Sequence, residues 1–347
     1  MIDTSMNPSP IPNKPRIGIT LGDLNGIGPE VVIKALMDPR IVNLITPVVY
    51  GSTRVLSYYR KLMGLEEFNY SQVKSKGQFF PKVINVVNCW EEEIKISPGQ
   101  PSRESAQAAL SSLRKVVEEV KEGMLDGFVT APIDKNMIYG EDFPFHGHTE
   151  YLTQTFEAME SLMLMVGESL KVGLVTEHIP LKDVSNHISS ERVELKIRLM
   201  ELSLKNDFHI SKPKIAVMGL NPHASDEGLI GEEENSVIKP VINDLKSKGK
   251  LVFGPYPADG FFGSGQHQKF DGILAMYHDQ GLIPFKYIAF ENGVNFTAGL
   301  PVVRTSPDHG TAYGIAGKNM ADEGSLRQAI FLATDIIKNR ARQVTPP

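Results

Sequence analysis

With 347 residues, 41% of them hydrophobic and 22% charged, the chain has the composition of a folded globular protein long enough for about two domains. A formal charge of −5 gives no general attraction for nucleic acid or an anionic membrane, so any bound anion must meet locally placed cations. The single cysteine, Cys89, excludes an intrachain disulfide, and no apolar run approaches the ~18 residues of a membrane span; a reducing cytoplasm is the expected setting.

Residues 1–14 (MIDTSMNPSPIPNK) are polar, rich in Pro and Ser, and read as a loose tail. Order is predicted to begin with the strand RIGIT, followed by the loop LGDLNGIGPE and the helical pattern VVIKALMD, with Pro29 in the first turn. Gly22, Gly26 and Gly28 do not have the dinucleotide spacing G-x-G-x-x-G, and the loop reads equally as a phosphate cradle or a tight βα turn. The strand TPVVYG precedes a helix over 52–63. The apolar run VINVVN next to Cys89 makes that thiol a core residue rather than a nucleophile. Residues 103–122 form a strong amphipathic pattern, with Ala106, Leu110, Leu113, Val117 and Val120 at helical spacing, and the strand GFVTAPID follows. Short strands then alternate with helices to the end, the mark of an α/β fold with a mainly parallel sheet.

Three apolar runs in the second half share one ending. KVGLVTEHIP, KIAVMGLNPHAS and DGILAMYHDQG each finish in a polar turn with one histidine: His178, His223 and His278. Ligands gather at the carboxyl ends of parallel strands, so these imidazoles can converge; they form either a divalent-metal site or three hydrogen-bonding loop residues. In FHGHTE, His146 and His148 make an H-x-H pair, and His148 also precedes a helical pattern that would turn its N-terminus toward an anion. The acidic run SDEGLIGEEE reads as a solvated loop with Glu residues in a first helical turn. Lys286 and Arg304, each after a strand-like segment, suit a phosphate or carboxylate. Asp259 is a turn-capping residue or a base, and His309 lies in a Gly-rich loop suited to a nucleotide or fixing the loop itself. The residues alone describe a metal-dependent enzyme for a small anionic substrate, with the reaction open.

Taken together and in order, ITLGDLNGIGPE, DGFVTAPIDK, FHGHTEYL, LNPHA, YHDQG, GVNFTAGLP and RTSPDHGTAYGIAGK resemble the 4-hydroxythreonine-4-phosphate dehydrogenase family of vitamin B6 biosynthesis, from about Ile17 to the C-terminus. The resemblance implies an isocitrate/isopropylmalate dehydrogenase-like fold of two α/β/α domains with a cleft between them. The first, nucleotide-side domain would comprise 15–138 plus 285–347, and the second, with the metal site and dimerisation surface, 139–284. It implies NAD or NADP as oxidant. It also implies one divalent metal per active site, zinc foremost with magnesium, cobalt or manganese as alternatives, and a homodimer with shared active sites. The implied metal ligands are His178, His223 and His278, and the substrate ligands are His148, Thr149, Lys286, Asn295 and Arg304. The cofactor loop would be 308–322, with His309, Gly310 and Gly317 against the nucleotide, and Lys286 and Asp259 would be the acid and base. Two stretches depart from the family pattern: TLGDLNG, where many relatives have Pro and Glu, and GKNMAD, where Gly usually stands in place of Asn319.

The implied reaction is an oxidative decarboxylation. Hydride leaves the carbon bearing the C3 hydroxyl for NAD while the metal stabilises the alkoxide, and the resulting β-keto acid loses CO2 to give 3-amino-2-oxopropyl phosphate. Alternatives on the same fold are a dehydrogenase of a four-carbon sugar-acid 4-phosphate such as threonate or erythronate phosphate, one acting on a ring cis-diol carboxylate, and a catalytically silent protein binding a phosphorylated ligand.

Overall fold

The computed structural model describes residues 14–74, 77–145, 147–290 and 292–344. Apart from Lys14, the tail expected over 1–14 lies outside the described residues, as does His146. The strands, in chain order, are β1 (Arg16–Thr20), β2 (Thr46–Gly51), β3 (Ser71–Val73), β4 (Asn85–Asn88), β5 (Gly127–Thr130) and β6 (Leu162–Val166). They continue as β7 (Lys171–Leu174), β8 (Ile215–Met218), β9 (Val252–Tyr256), β10 (Gly272–Ala275), β11 (Val294–Ala298) and β12 (Val303–Pro307).

The chain divides into two compact α/β units, one of Met1–Gln154 with Pro301–Pro347 and one of Thr155–Leu300. These crossings fall later than the boundaries read from the sequence, 138/139 and 284/285. The helix His278–Ala289 and β11 stay with the second unit for a physical reason. Phe285 is buried in that unit's core, and β11 pairs antiparallel with β6.

In the first unit the strands lie in the order β3-β4-β2-β1-β5-β12, every neighbouring pair parallel. All six residues of β2 are buried, as a parallel strand covered on both faces requires. The helix Arg103–Lys121 starts at Ser102, whose side chain accepts from the Ser105 amide, and it buries the apolar face seen in the sequence.

The glycine loop after β1 is fully buried, and its amides bond inward. Asp23 N–H donates to the Pro132 carbonyl at 2.8 Å and Ile27 N–H to Thr311 at 2.9 Å, while the Asp23 carboxylate takes the Asn25 and Gly26 amides. A Cβ on Gly28 would stand 2.2 Å from the Leu21 carbonyl oxygen. The loop is therefore a tight βα turn packed on its neighbours, and its donors are not available to a phosphate. Burial also pushes the Cys89 thiol up to about 12, which keeps it out of its nucleophilic form at neutral pH.

In the second unit the order is β11-β6-β7-β10-β8-β9, with antiparallel pairing at β11–β6–β7 and parallel pairing from β7 onward. The three histidine-bearing runs thus become adjacent parallel strands. Gly281 lets the helix after β10 lie directly on the sheet, since a Cβ there would come within 2.9 Å of Leu174 and Val172 side-chain carbons. No helix among the described residues is long and apolar enough to cross a membrane.

The departure at Asn319 has a backbone explanation. Its φ is 58°, in the left-handed region that glycine enters without penalty and asparagine tolerates better than other residues. Lys34 holds this bend by donating to the Asn319 and Ala321 carbonyls, and the buried Glu30 accepts from both Lys34 and the Ala321 amide. Asn319→Ala is expected to cost about 1 kcal/mol, while Asn319→Gly should stay within about 0.5 kcal/mol of the parent. Urea denaturation of the three proteins checks this, and an Ala variant as stable as the parent would refute the strain.

Candidate active site

The first unit presents a buried cation. Arg304 lies in β12 opposite Phe128 of β5, which makes Thr130 its diagonal neighbour on the same face. The guanidinium donates to the Thr130 hydroxyl from two nitrogens, at 3.1 and 2.6 Å, and the residue is only 3% exposed. Burial lowers its pKa to about 9, so it remains charged at neutral pH.

His148, the first residue of the helix His148–Thr155, stands beside this cation. Burial, then Arg304, then Lys135 hold its imidazole well below the ordinary range, hence neutral. Its Nε2 is buried with no hydrogen-bond partner. Thr149 follows, half-buried in the same helix. Lys135 packs against Gly147, whose added Cβ would lie 3.3 Å from the lysine Cε. Arg304 and Lys135 thus set positive charge around a neutral His148. Lys135 and Thr130 were not singled out from the sequence. Their signal was position, at or just beyond the carboxyl end of β5.

The loop predicted for the nucleotide is anchored rather than loose. Tyr313 donates to Asp134 at 3.0 Å, and His309, half-buried, has Nδ1 3.2 Å from the Gly310 carbonyl. The two glycines differ. Gly310 is exposed and a Cβ there would meet nothing, whereas Gly317 has φ +74° and a Cβ would stand 2.6 Å from Pro98. Backbone shape and packing on Pro98 therefore account for Gly317.

In the second unit, His178 and His278 come together, with ring centroids 5.6 Å apart. His278 opens the helix His278–Ala289, and its Nδ1 lies 2.7 Å from the Asp279 carboxylate. A carboxylate partner places the proton on Nδ1 and leaves Nε2 as the free lone pair. His223 sits exposed on the adjacent strand end, in a turn where His223 through Glu227 all have positive φ. That strained turn is held by the carboxylate of Glu234, which accepts from the Asn221 amide at 2.7 Å and its side chain at 2.9 Å. The acidic run is thus not wholly solvated. Glu234 is fully buried, whereas Asp226, Glu227 and Glu232 are exposed. Among the described residues, no group of three or more His, Cys, Asp or Glu side chains is gathered closely enough to hold a metal ion.

Asp259 follows β9 and lies exposed in the first turn of the helix Ala258–Gly263, on the same carboxyl edge as the histidines. Lys286 does not follow a strand, as its sequence context suggested. It sits in the last turn of the helix begun by His278, ~12 Å along the axis from that residue. Asn295 is opposite Met165 in β6, itself opposite Val172 in β7, so it lies along the sheet rather than at the histidine edge. Its Oδ1 is buried with no hydrogen-bond partner.

An α/β protein with strand-end histidines and a buried cation pocket belongs to the broad class that binds small anionic ligands at the carboxyl edge of parallel sheets. A family model described as pyridoxal phosphate biosynthetic protein PdxA matches residues 43–333. The chain is 49% identical over 332 residues to a 4-hydroxythreonine-4-phosphate dehydrogenase of Bacteroides thetaiotaomicron, covering 95% of this chain and 91% of that one. The crystal structure of the enzyme of that name from Klebsiella pneumoniae matches with a TM-score of 0.77 at 33% identity, covering 93% and 98% of the two chains. A protein of Oceanobacillus iheyensis, provisionally described as a D-threonate 4-phosphate dehydrogenase, is 38% identical over 328 residues, 93% of this chain and 98% of that one. The chain belongs to the PdxA family.

The neutral state of His148 has a pH signature. Its folded pKa is depressed, so the unfolded chain takes the proton first as pH falls below the ordinary imidazole value of 6.5, and stability drops from there until the folded pKa is passed. His148→Gln should remove that part of the acid loss. Urea midpoints at pH 7.5 and 5.5 are the check, and equal losses in parent and variant would contradict the buried neutral imidazole.

Proposed function

We propose that this protein is a 4-hydroxythreonine-4-phosphate dehydrogenase, oxidising and decarboxylating 4-phosphohydroxy-L-threonine to 3-amino-2-oxopropyl phosphate and CO2 in pyridoxal phosphate biosynthesis. Within a family whose curated members carry that name, the observation that carries the reading is the buried Arg304 guanidinium beside Lys135 and neutral His148. Two cations and an imidazole N–H suit a phosphate dianion, which would replace the solvation that burial removes. Bound phosphate would also raise the pKa values of Arg304 and His148 toward their ordinary range.

His178 and His278, with His223 from the next strand end, are the residues that would hold a divalent metal, and imidazole donors favour zinc over magnesium. When bound, the metal supplies Lewis-acid polarisation of the substrate oxygen, and NAD or NADP, against the 308–322 loop, supplies the hydride acceptor. Asp259 stands on the edge that would carry the metal and is the candidate base for the C3 hydroxyl proton. Lys286 is the candidate acid that returns a proton after CO2 leaves. Asn295 Oδ1, a buried acceptor, suits a substrate N–H such as the ammonium.

The distances from His278 to Lys286 and of Asn295 from the histidine edge favour an active site completed by a second copy. The helix His278–Ala289 leaves Ile283, Tyr287 and, just beyond it, Phe290 exposed at 67%, 92% and 75%. Such a stripe suits a homodimer in which Lys286 serves the metal centre of the partner subunit. The setting in this reading is the cytoplasm. A double variant Ile283→Glu/Tyr287→Glu should sediment as a monomer and lose most turnover; a dimer of unchanged affinity would refute this interface.

The provisionally described threonate 4-phosphate relative favours one second reading, the same oxidation on a substrate with hydroxyl in place of ammonium. Absorbance at 340 nm decides between them. NADH formation with 4-phosphohydroxythreonine should exceed that with D-threonate 4-phosphate by about 10²-fold or more, as expected when a substrate polar group goes unmatched. Chelation should abolish turnover, and Arg304→Met should raise KM for the phosphorylated substrate at least about 10-fold. A preference for threonate phosphate would establish the second reading instead.

A further inference from the structure

Beyond β5 the chain turns at Asp134 into the four-residue helix Lys135–Ile138. A helix this short closes little of its own hydrogen bonding, so its first amides need an outside acceptor. Asp134 supplies one with a single oxygen. Its Oδ1 accepts from the Asn136 amide at 3.0 Å and the Met137 amide at 3.3 Å. The other oxygen, Oδ2, accepts from the Tyr313 hydroxyl at 3.0 Å. One carboxylate therefore holds both the turn that carries Lys135 and the 308–322 loop.

The loop end of this bond is firmly seated. The Thr311 carbonyl accepts from the Ile27 amide at 2.9 Å, and a Cβ on Gly99 would stand 3.0 Å from the Tyr313 carbonyl oxygen. Burial, then Asp23, then Asp134 push the Tyr313 hydroxyl well above its ordinary pKa, so it keeps its proton for donation at neutral pH. Fold stability alone would send that proton elsewhere. Asp23 is fully buried and its Oδ2 has no hydrogen-bond partner, which makes it the costlier acceptor to leave unmet. Asp23 is near enough to act on the hydroxyl, yet the bond goes to the half-buried Asp134. What the bond adds there is a fixed carboxylate, and with it a fixed first turn for Lys135. A lysine ammonium rides on a flexible stem, so the place of its backbone decides where the charge can reach. That charge is one of the two cations acting on His148.

We propose that Tyr313 is a positioning residue: through Asp134 it holds Lys135 in place for a phosphate bound beside Arg304 and His148. The proposal rests on reading that cluster as the phosphate site. Tyr313 does not touch the phosphate; it acts through the turn that carries the cation.

Calorimetric titration with inorganic phosphate tests this on the parent, Tyr313→Phe, Lys135→Met and the double variant. Tyr313→Phe removes only the hydroxyl and should weaken phosphate binding about 5- to 10-fold, with a melting temperature within a few degrees of the parent. In the Lys135→Met background the same change should matter less than about 2-fold, because the residue it acts through is gone. In turnover, Tyr313→Phe should raise KM for the phosphorylated substrate by a similar factor and leave kcat within about 2-fold. Parent-like phosphate affinity in Tyr313→Phe would overturn the proposal. So would an undiminished loss in the Lys135→Met background, or a fall in kcat at unchanged KM. A parent protein that binds no phosphate would refute the phosphate pocket itself, and the proposal with it.

Discussion

Parallel pairing delivers the carboxyl ends of neighbouring strands to one edge, and each unit of this protein is organised by that constraint. In the second unit it brings His178, His223 and His278, widely spaced in sequence, onto adjacent strand ends. In the first it sets Thr130 beside Arg304 and sends the chain from β5 toward Lys135. Antiparallel pairing at β6 and β11 breaks the rule locally. It is also where Asn295 falls out of line with the histidine edge.

The two groups of residues differ in how much they are prepared before a ligand arrives. Arg304 is almost wholly buried, and withdrawing a guanidinium from water costs several kcal/mol unless other groups replace its hydration. The Thr130 hydroxyl takes two of its N–H bonds, and burial, then the neighbouring Arg304 charge, keeps His148 neutral. The histidines of the second unit are half-exposed or exposed, held by their strand ends rather than by burial of the rings.

Much of this was legible in the sequence, for reasons that can be named. RIGIT, TPVVYG and the amphipathic run at 103–122 announced themselves by periodicity, and their bounds shift by only a residue or so in the structure. The three strand-end histidines were visible because apolar run, polar turn and imidazole recur together. The ordered motifs of the PdxA family were visible too, and the comparisons show that family. Lys286 was misplaced because IPFKYIAF is apolar enough to pass for a buried strand and contains Pro284, yet it continues the helix from His278. Glu234 was read as a first-turn helical residue, which it is, but its burial depends on Asn221, a partner that only the folded turn supplies. Gly22 and Gly28 left cradle and turn equally open. Their neighbours, Pro132 and the Leu21 carbonyl, are apparent only in three dimensions.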